Sequence, residues 1–164
     1  MILYIIRHGI AVDRTDPKSP AEAERPLTAR GVQKTREAAL GFCALGAKPD
    51  TLITSPYVRA AQTAEIFAEA LGFSPEKIRV SESLKPAQNP AEIVKEISHL
   101  KSKEVALFGH APHVDMLIAH LAGSRGPFTE MKKAGVACFE QASPHSRWNL
   151  KWVLTAKFLR KLED

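Results

Sequence analysis

Arg7-His8-Gly9 lies near the amino terminus, Ser55 and Arg59 stand one helical turn apart further on, and Glu82 and Gly109-His110 follow later in the chain. Two arginines, two histidines and a carboxylate form a set suited to holding and attacking a phosphoryl group. A guanidinium offers a fixed fork that matches phosphate oxygens bidentately, each charge-assisted hydrogen bond being worth about 1.5–3 kcal/mol. An imidazole between two such cations is disfavoured as imidazolium, so the pKa of His8 is expected below its ordinary value. A neutral imidazole near pH 7 keeps a lone pair for in-line attack on phosphorus. Fixed Arg and His donors would then stabilise the charge that spreads over the equatorial oxygens.

Residues this far apart in sequence meet only if the fold delivers them to one edge. Apolar runs without polar alternation at Ile2–Ile6, Thr51–Thr54 and Val105–Phe108 read as strands buried on both faces, and Ile78–Ser81 is a weaker candidate. Helical patterns lie between them. The first runs from an N-cap at Thr28 to about Leu45, and the second opens at Ser55-Pro56 and ends before Gly72. The third carries Ile93, Val94, Ile97 and Leu100, and the fourth Val114, Leu117, Ile118 and Leu121. Gly135–Ala142 and Trp148–Ala156 read as a hairpin around Ser143-Pro144-His145-Ser146, followed by a short amphipathic tail, Lys157 to Leu162. The expected fold is therefore α/β: a three-layer sandwich with a mostly parallel sheet, helices on both faces and a C-terminal antiparallel hairpin. Parallel strands would place Arg7, His8, Gly9, Ser55, Arg59, Glu82 and His110 at their common carboxyl edge, where open α/β sheets bind ligands. The helix after Ser55-Pro56 would add free N–H groups to an anion site there. Three polar loops, Asp13–Pro26, Lys85–Pro90 and Ser124–Lys133, are long enough to be functional.

Four motifs in order, Arg7-His8-Gly9 after an N-terminal strand, Leu27-Thr28-x-x-Gly31, Ser55-Pro56-x-x-Arg59-Ala60-x-Gln62-Thr63 and Gly109-His110, resemble the histidine phosphatase superfamily, whose fold is phosphoglycerate mutase-like. Arg25-Pro26-Leu27-Thr28, Gly109-His110-x-Pro112 and Lys132-Lys133-Ala134-Gly135 resemble its SixA-type phosphohistidine phosphatase branch. The resemblance implies a metal-independent hydrolase in which His8 is phosphorylated and Arg7, Arg59 and His110 bind the phosphoryl group. It also makes Arg25 a basic position that reaches the phosphate, and Gly9 and Ser55 parts of the binding site. Glu82 is by order the acid that would protonate a leaving group. The preferred substrate it implies is phosphohistidine on a signalling protein, such as a histidine-phosphotransfer domain. A small phosphomonoester is the alternative substrate, and a non-catalytic phosphate-binding adaptor the alternative role. Ile10 stands where mutases carry a polar residue, which counts against a mutase or sugar phosphatase.

Length and composition agree. The chain has 164 residues, enough for one domain, 1–164, that buries roughly 68–70% of its extended surface without a staple. Two cysteines, Cys43 and Cys138, make no disulfide scaffold and read as thiols in a reducing compartment. The net charge of +5 comes without a basic run or an aromatic platform, so it fits a cationic cleft for a small or protein-borne phosphate better than nucleic acid. His110, His113, Asp115 and His120 interrupt the longest apolar stretch and forbid a membrane span there. The amino terminus has no export pattern, so a cytoplasmic location is expected. His110, His113 and His120 lack the spacing and partners of a zinc site, and neither a metal nor another cofactor is expected. His99, His113 and His120 read as structural or surface residues. The sequence carries no mark of an oligomeric state.

Overall fold

The computed structural model describes residues 1–162; the last two positions of the expected 1–164 unit, Glu163 and Asp164, lie outside them. The strands are β1 (Ile2–Arg7), β2 (Thr51–Thr54), β3 (Arg79–Val80), β4 (Glu104–Gly109), β5 (Val136–Gln141) and β6 (Trp148–Leu154). They form one sheet in the order β3-β2-β4-β1-β5-β6, the first four mutually parallel and the last two antiparallel. The hairpin thus closes the edge beside β1, as the two strand-like runs around its turn residues imply.

Successive side chains of a strand point to opposite faces, and the central strands bury both. Tyr4 and Ile6 of β1 join Leu52, Ala106, Phe108 and Val136 under α1 (Ala29–Ala44), α2 (Val58–Leu71) and α5 (Ala156–Leu159). Leu3 and Ile5 join Ile53, Val105, Leu107 and Phe139 under α3 (Pro90–Ser98) and α4 (His113–Ala122). Each fully buried Leu, Ile or Phe contributes about 1.5–3 kcal/mol. A one-residue slip of β1 would exchange the two sets and empty both cores, so the register that carries the strand ends is strongly held.

The helix ends follow local rules with one exception. Thr28 Oγ1 accepts from Gly31 N (2.9 Å) as the N-cap of α1, Asn89 caps α3 ahead of Pro90, and Gly72 and Gly123 end α2 and α4 in the left-handed region. The exception is α2. It begins at Val58 with Tyr57 as its extended N-cap residue, not at Ser55-Pro56, because the Ser55 hydroxyl is committed to another partner, described below. The weak third strand shrinks to two exposed residues at the sheet edge, so it is not a doubly buried strand. Only Ala156–Leu159 of the tail is helical, seated on α1 where Leu159 O would lie 1.9 Å from a Cβ at Gly41.

The Leu27-Thr28-x-x-Gly31 signature has a packing cause. Ile10 O, just past Arg7-His8-Gly9, accepts from Thr28 N (2.9 Å), and a Cβ at Gly31 would lie 2.0 Å from that same oxygen. The start of α1 therefore pins the loop leaving β1. Gly31→Ala must displace backbone, and we expect it to cost at least the 1–3 kcal/mol typical of overpacking. Urea denaturation reads this directly, and an unchanged midpoint would contradict the close approach.

Candidate active site

The parallel register delivers three functional segments side by side. Arg7 pairs with Gly109 and Thr54 with Phe108 at the carboxyl ends of β1, β4 and β2. His8 N then donates to Gly109 O (2.9 Å) and Ser55 N to Phe108 O (3.0 Å). His8, Ser55 and His110 thus leave the sheet together, and the rings of His8 and His110 lie 5.1 Å apart. They open beside a cleft of about 730 Å3 lined by Arg7, His8, Asp13, Glu22, Arg25, Arg59 and Lys133 among others.

His8 is held as one tautomer. Its Nδ1 donates to Gly9 O (2.7 Å), so Nε2 carries the lone pair, and Arg59 Nε donates to that nitrogen (3.2 Å). Burial, reinforced by the Arg59, Arg7 and Lys133 charges, lowers the pKa of His8 to about 3 even though the Gly9 hydrogen bond opposes it. The direction is the one expected from the flanking guanidinium groups, but desolvation is the larger cause. His110 is also buried and neutral, its pKa lowered to about 2 by burial and then by His8 and Arg59. Its Nε2 shares a hydrogen bond with Ser55 Oγ (2.8 Å), and its Nδ1 has no partner.

Each arginine is turned by a main-chain carbonyl. Arg7 Nη1 donates to Met131 O (2.6 Å), Arg25 Nη1 to Val12 O (2.7 Å) and Arg59 Nη1 to Glu22 O (2.7 Å). Asp115 holds the first of these carbonyls in place by accepting from Met131 N (2.9 Å) and Thr129 Oγ1 (2.7 Å). Thr63 locks the nucleophile to the arginine helix: its hydroxyl accepts from Gly9 N (3.0 Å) and donates to Arg59 O (2.7 Å). Gln62 Oε1 accepts from Leu27 N (2.7 Å), tying the same helix to the approach of α1. That is the structural content of the Gln62-Thr63 pair. Arg59 also lies over the Tyr57 ring, 5.1 Å from its centroid, and Tyr57 packs edge-on against His110.

The structure brings Arg7, His8, Arg25, Arg59 and His110 together and leaves two candidates elsewhere. Ser55 is fully buried and outside the cleft lining, its hydroxyl shared with His110 Nε2 (2.8 Å) and accepting from Tyr57 N (3.4 Å), so it positions the His110 ring. Glu82 opens a 3₁₀ turn, is about 72% exposed and pairs with Lys85, outside the cleft lining. Gly9 contributes its carbonyl and its lack of a side chain, since a Cβ there would lie 2.2 Å from Thr35 Oγ1. Three participants escaped the sequence reading. Glu22 stands three residues before Arg25, a pairing distance on a helical turn, while Asp115 and Tyr57 gave only the weaker signals of an acid in an apolar helix and an aromatic beside a Ser-Pro pair. Among the described residues no group of three or more His, Cys, Asp or Glu is arranged to hold a metal ion, and no helix is long and apolar enough to cross a membrane.

The family model of the histidine phosphatase superfamily (branch 1) matches residues 3–89. An uncharacterized protein of Picosynechococcus is 35% identical over 141 residues, covering 83% of this chain and 82% of its own. The phosphohistidine phosphatase SixA of Escherichia coli is 27% identical over 156 residues, covering 92% of this chain and 93% of its own. The solved structure of a protein histidine phosphatase SixA complexed with tungstate superposes with a TM-score of 0.85 at 22% identity, covering 96% of this chain and 98% of that one.

The buried neutral histidines imply a pH dependence with a definite sign. His8, His110 and His113 have folded pKa values of about 3, 2 and 4, all below the ordinary 6.5. The unfolded chain therefore takes up protons first, and stability falls as pH drops from about 6.5 toward 4. We expect NMR titration to show no change of protonation at His8 between pH 5 and 8. A His8 midpoint near 6.5 would contradict its desolvated setting.

Proposed function

The chain belongs to the histidine phosphatase superfamily, and from that membership we propose that it is a metal-independent phosphatase acting through a covalent phosphohistidine at His8, with phosphohistidine on a signalling protein as its preferred substrate. The observation that carries this reading is the lone pair of His8 Nε2, bare of any proton and met by Arg59 Nε at 3.2 Å in a cationic cleft. A site that only bound phosphate would need the arginines, not a neutral imidazole of fixed tautomer between them.

In the first step Nε2 attacks phosphorus, an Nε2–P bond forms, and the substrate's bond to phosphorus breaks with its electron pair going to the leaving group. Nδ1–H stays on Gly9 O and stabilises the ring as charge develops. Arg7, Arg25 and Arg59 line the cleft and supply donors for the phosphoryl oxygens, and His110, its ring 5.1 Å from that of His8, offers its unpartnered Nδ1 behind them. In the second step water attacks phosphorus, the Nε2–P bond breaks, and inorganic phosphate leaves with neutral His8 restored.

The substrate class is supported by the acids of the cleft. Asp13 and Glu22 line it, and both are held below the usual carboxylate range, Asp13 by the Thr15 backbone N–H and Glu22 by its hydrogen bond from Arg25. Ionised carboxylates are poor proton donors for an alkoxide. A phosphohistidine already protonated on its second ring nitrogen leaves as neutral imidazole and needs no such donor. The same reasoning favours a substrate with an N–P bond over a phosphate ester.

The test is kcat/KM on a phosphorylated histidine-phosphotransfer domain against phosphoserine, sugar phosphates and nucleotides. We expect the protein substrate to lead by at least tenfold, and a preference for the small esters would overturn the substrate assignment. His8→Ala should abolish both turnover and the acid-labile, base-stable label left by a phosphodonor. Arg59→Ala should lose about 3–4 kcal/mol of transition-state stabilisation. A wild-type protein that binds phosphate but takes no label would support a binding role instead.

A further inference from the structure

Glu22 is bound to the catalytic arginines more closely than a surface ion pair requires. Its carbonyl accepts from Arg59 Nη1 (2.7 Å) and its Oε1 from Arg59 Nη2 (2.7 Å), so both terminal nitrogens of that guanidinium are turned toward one residue. The remaining nitrogen, Nε, faces His8 Nε2 (3.2 Å). The same carboxylate accepts from Arg25 Nε at Oε2 (2.9 Å) and from Arg25 Nη2 at Oε1 (3.0 Å). Arg59 is 3% and Arg25 12% exposed at the side chain, whereas Glu22 is 52% exposed. One half-exposed acid therefore orients a buried cation and a partly buried one.

The half-exposed carboxylate satisfies donors of a buried guanidinium, yet a negative charge beside a phosphate dianion works against binding it. Its geometric effect is specific. A guanidinium is planar, so fixing both terminal nitrogens fixes where its Nε edge points. We propose that Glu22 is a positioning residue for phosphoryl transfer: it holds Arg59 and Arg25 so that Arg59 presents its Nε edge at His8 Nε2, the atom to which phosphorus is bonded during turnover. The cost is affinity for the ground-state anion, and the gain is orientation at the transition state. The clamp also couples the Asp13–Pro26 loop to the nucleophile, because the loop is closed below Glu22 by Val12 N donating to Pro26 O (2.9 Å).

This inference rests on the phosphatase reading but not on the identity of the substrate. The test compares orthovanadate, whose five-coordinate adducts resemble the transition state, with inorganic phosphate as a ground-state anion. In Glu22→Ala we expect vanadate affinity to fall at least tenfold relative to phosphate, with phosphate bound as tightly as in wild type or more tightly. On phosphoramidate, kcat should fall tenfold to a hundredfold. Glu22→Gln, which keeps a carbonyl acceptor for one arginine, should recover part of both losses and guards against a folding defect in the alanine variant. An unchanged vanadate-to-phosphate ratio would overturn the proposal and leave Glu22 a surface partner. Equal tightening of both anions would also overturn it, making Glu22 a competitor for the site. A wild-type protein that binds both anions yet turns over no phosphorylated substrate would sink the proposed function, while the ratio would still decide for Glu22.

Discussion

Cations withdrawn from water beside uncharged imidazoles set the terms for the rest of this molecule. Arg59 and His8 are both nearly inaccessible and share a hydrogen bond, with Arg7 close by. Burying a guanidinium is costly unless its donors are used. A protonated His8 in the same place would add like-charge repulsion to desolvation. The arrangement is sustainable only with the imidazoles neutral and each arginine given acceptors from the protein, which leaves the remaining donors for a phosphoryl group.

Those acceptors come mainly from the backbone. Met131, Val12 and Glu22 each offer a carbonyl to one arginine, the first two from irregular loop and the third from a short 3₁₀ turn, Glu22–Glu24. A carbonyl accepts a donor without carrying net charge and leaves the cationic potential of the cleft intact, whereas a carboxylate at each position would cancel it. Among the described residues only Glu22 adds a carboxylate, and it serves two arginines at once. The polar loops over the sheet edge are thus part of the electrostatic design. The irregular backbone that the central strands cannot accommodate becomes the source of the arginines' partners.

The scaffold explains how such exacting placement survives. The doubly buried strands β1, β2 and β4 are locked in register by two separate cores, so Arg7, Ser55 and Gly109 end at the same level. Gly31 and Thr28 then draw the loop after Gly9 against α1, and Thr63 draws the backbone of Gly9 against α2. Stability and function meet in these contacts, because residues that pack the strand ends also aim the nucleophile.

Residue types and periodicity alone were enough to place the parallel α/β layers, the hairpin, and the convergence of His8, Arg7, Arg59 and His110, since strand burial and helix caps are written in neighbouring residues. They misplaced the start of α2 and the role of Ser55 because the rule for a Ser-Pro helix start is local, while the Ser55 hydroxyl answers to His110, 55 positions away. Glu82 was an acid in the right order along the chain and the wrong place in space, turned to Lys85 at the end of a two-residue edge strand. The spacing of Glu22 to Arg25 marked that pair but not its bond to Arg59, 37 positions away, and Met131, 124 positions from Arg7, carried no local mark of its part. The chain by itself determined which chemistry was present and which layers would carry it. Only the tertiary structure decided which carbonyls and which carboxylate face each guanidinium, because hydrogen bonds act over about 3 Å in space and that proximity is created by packing between distant segments.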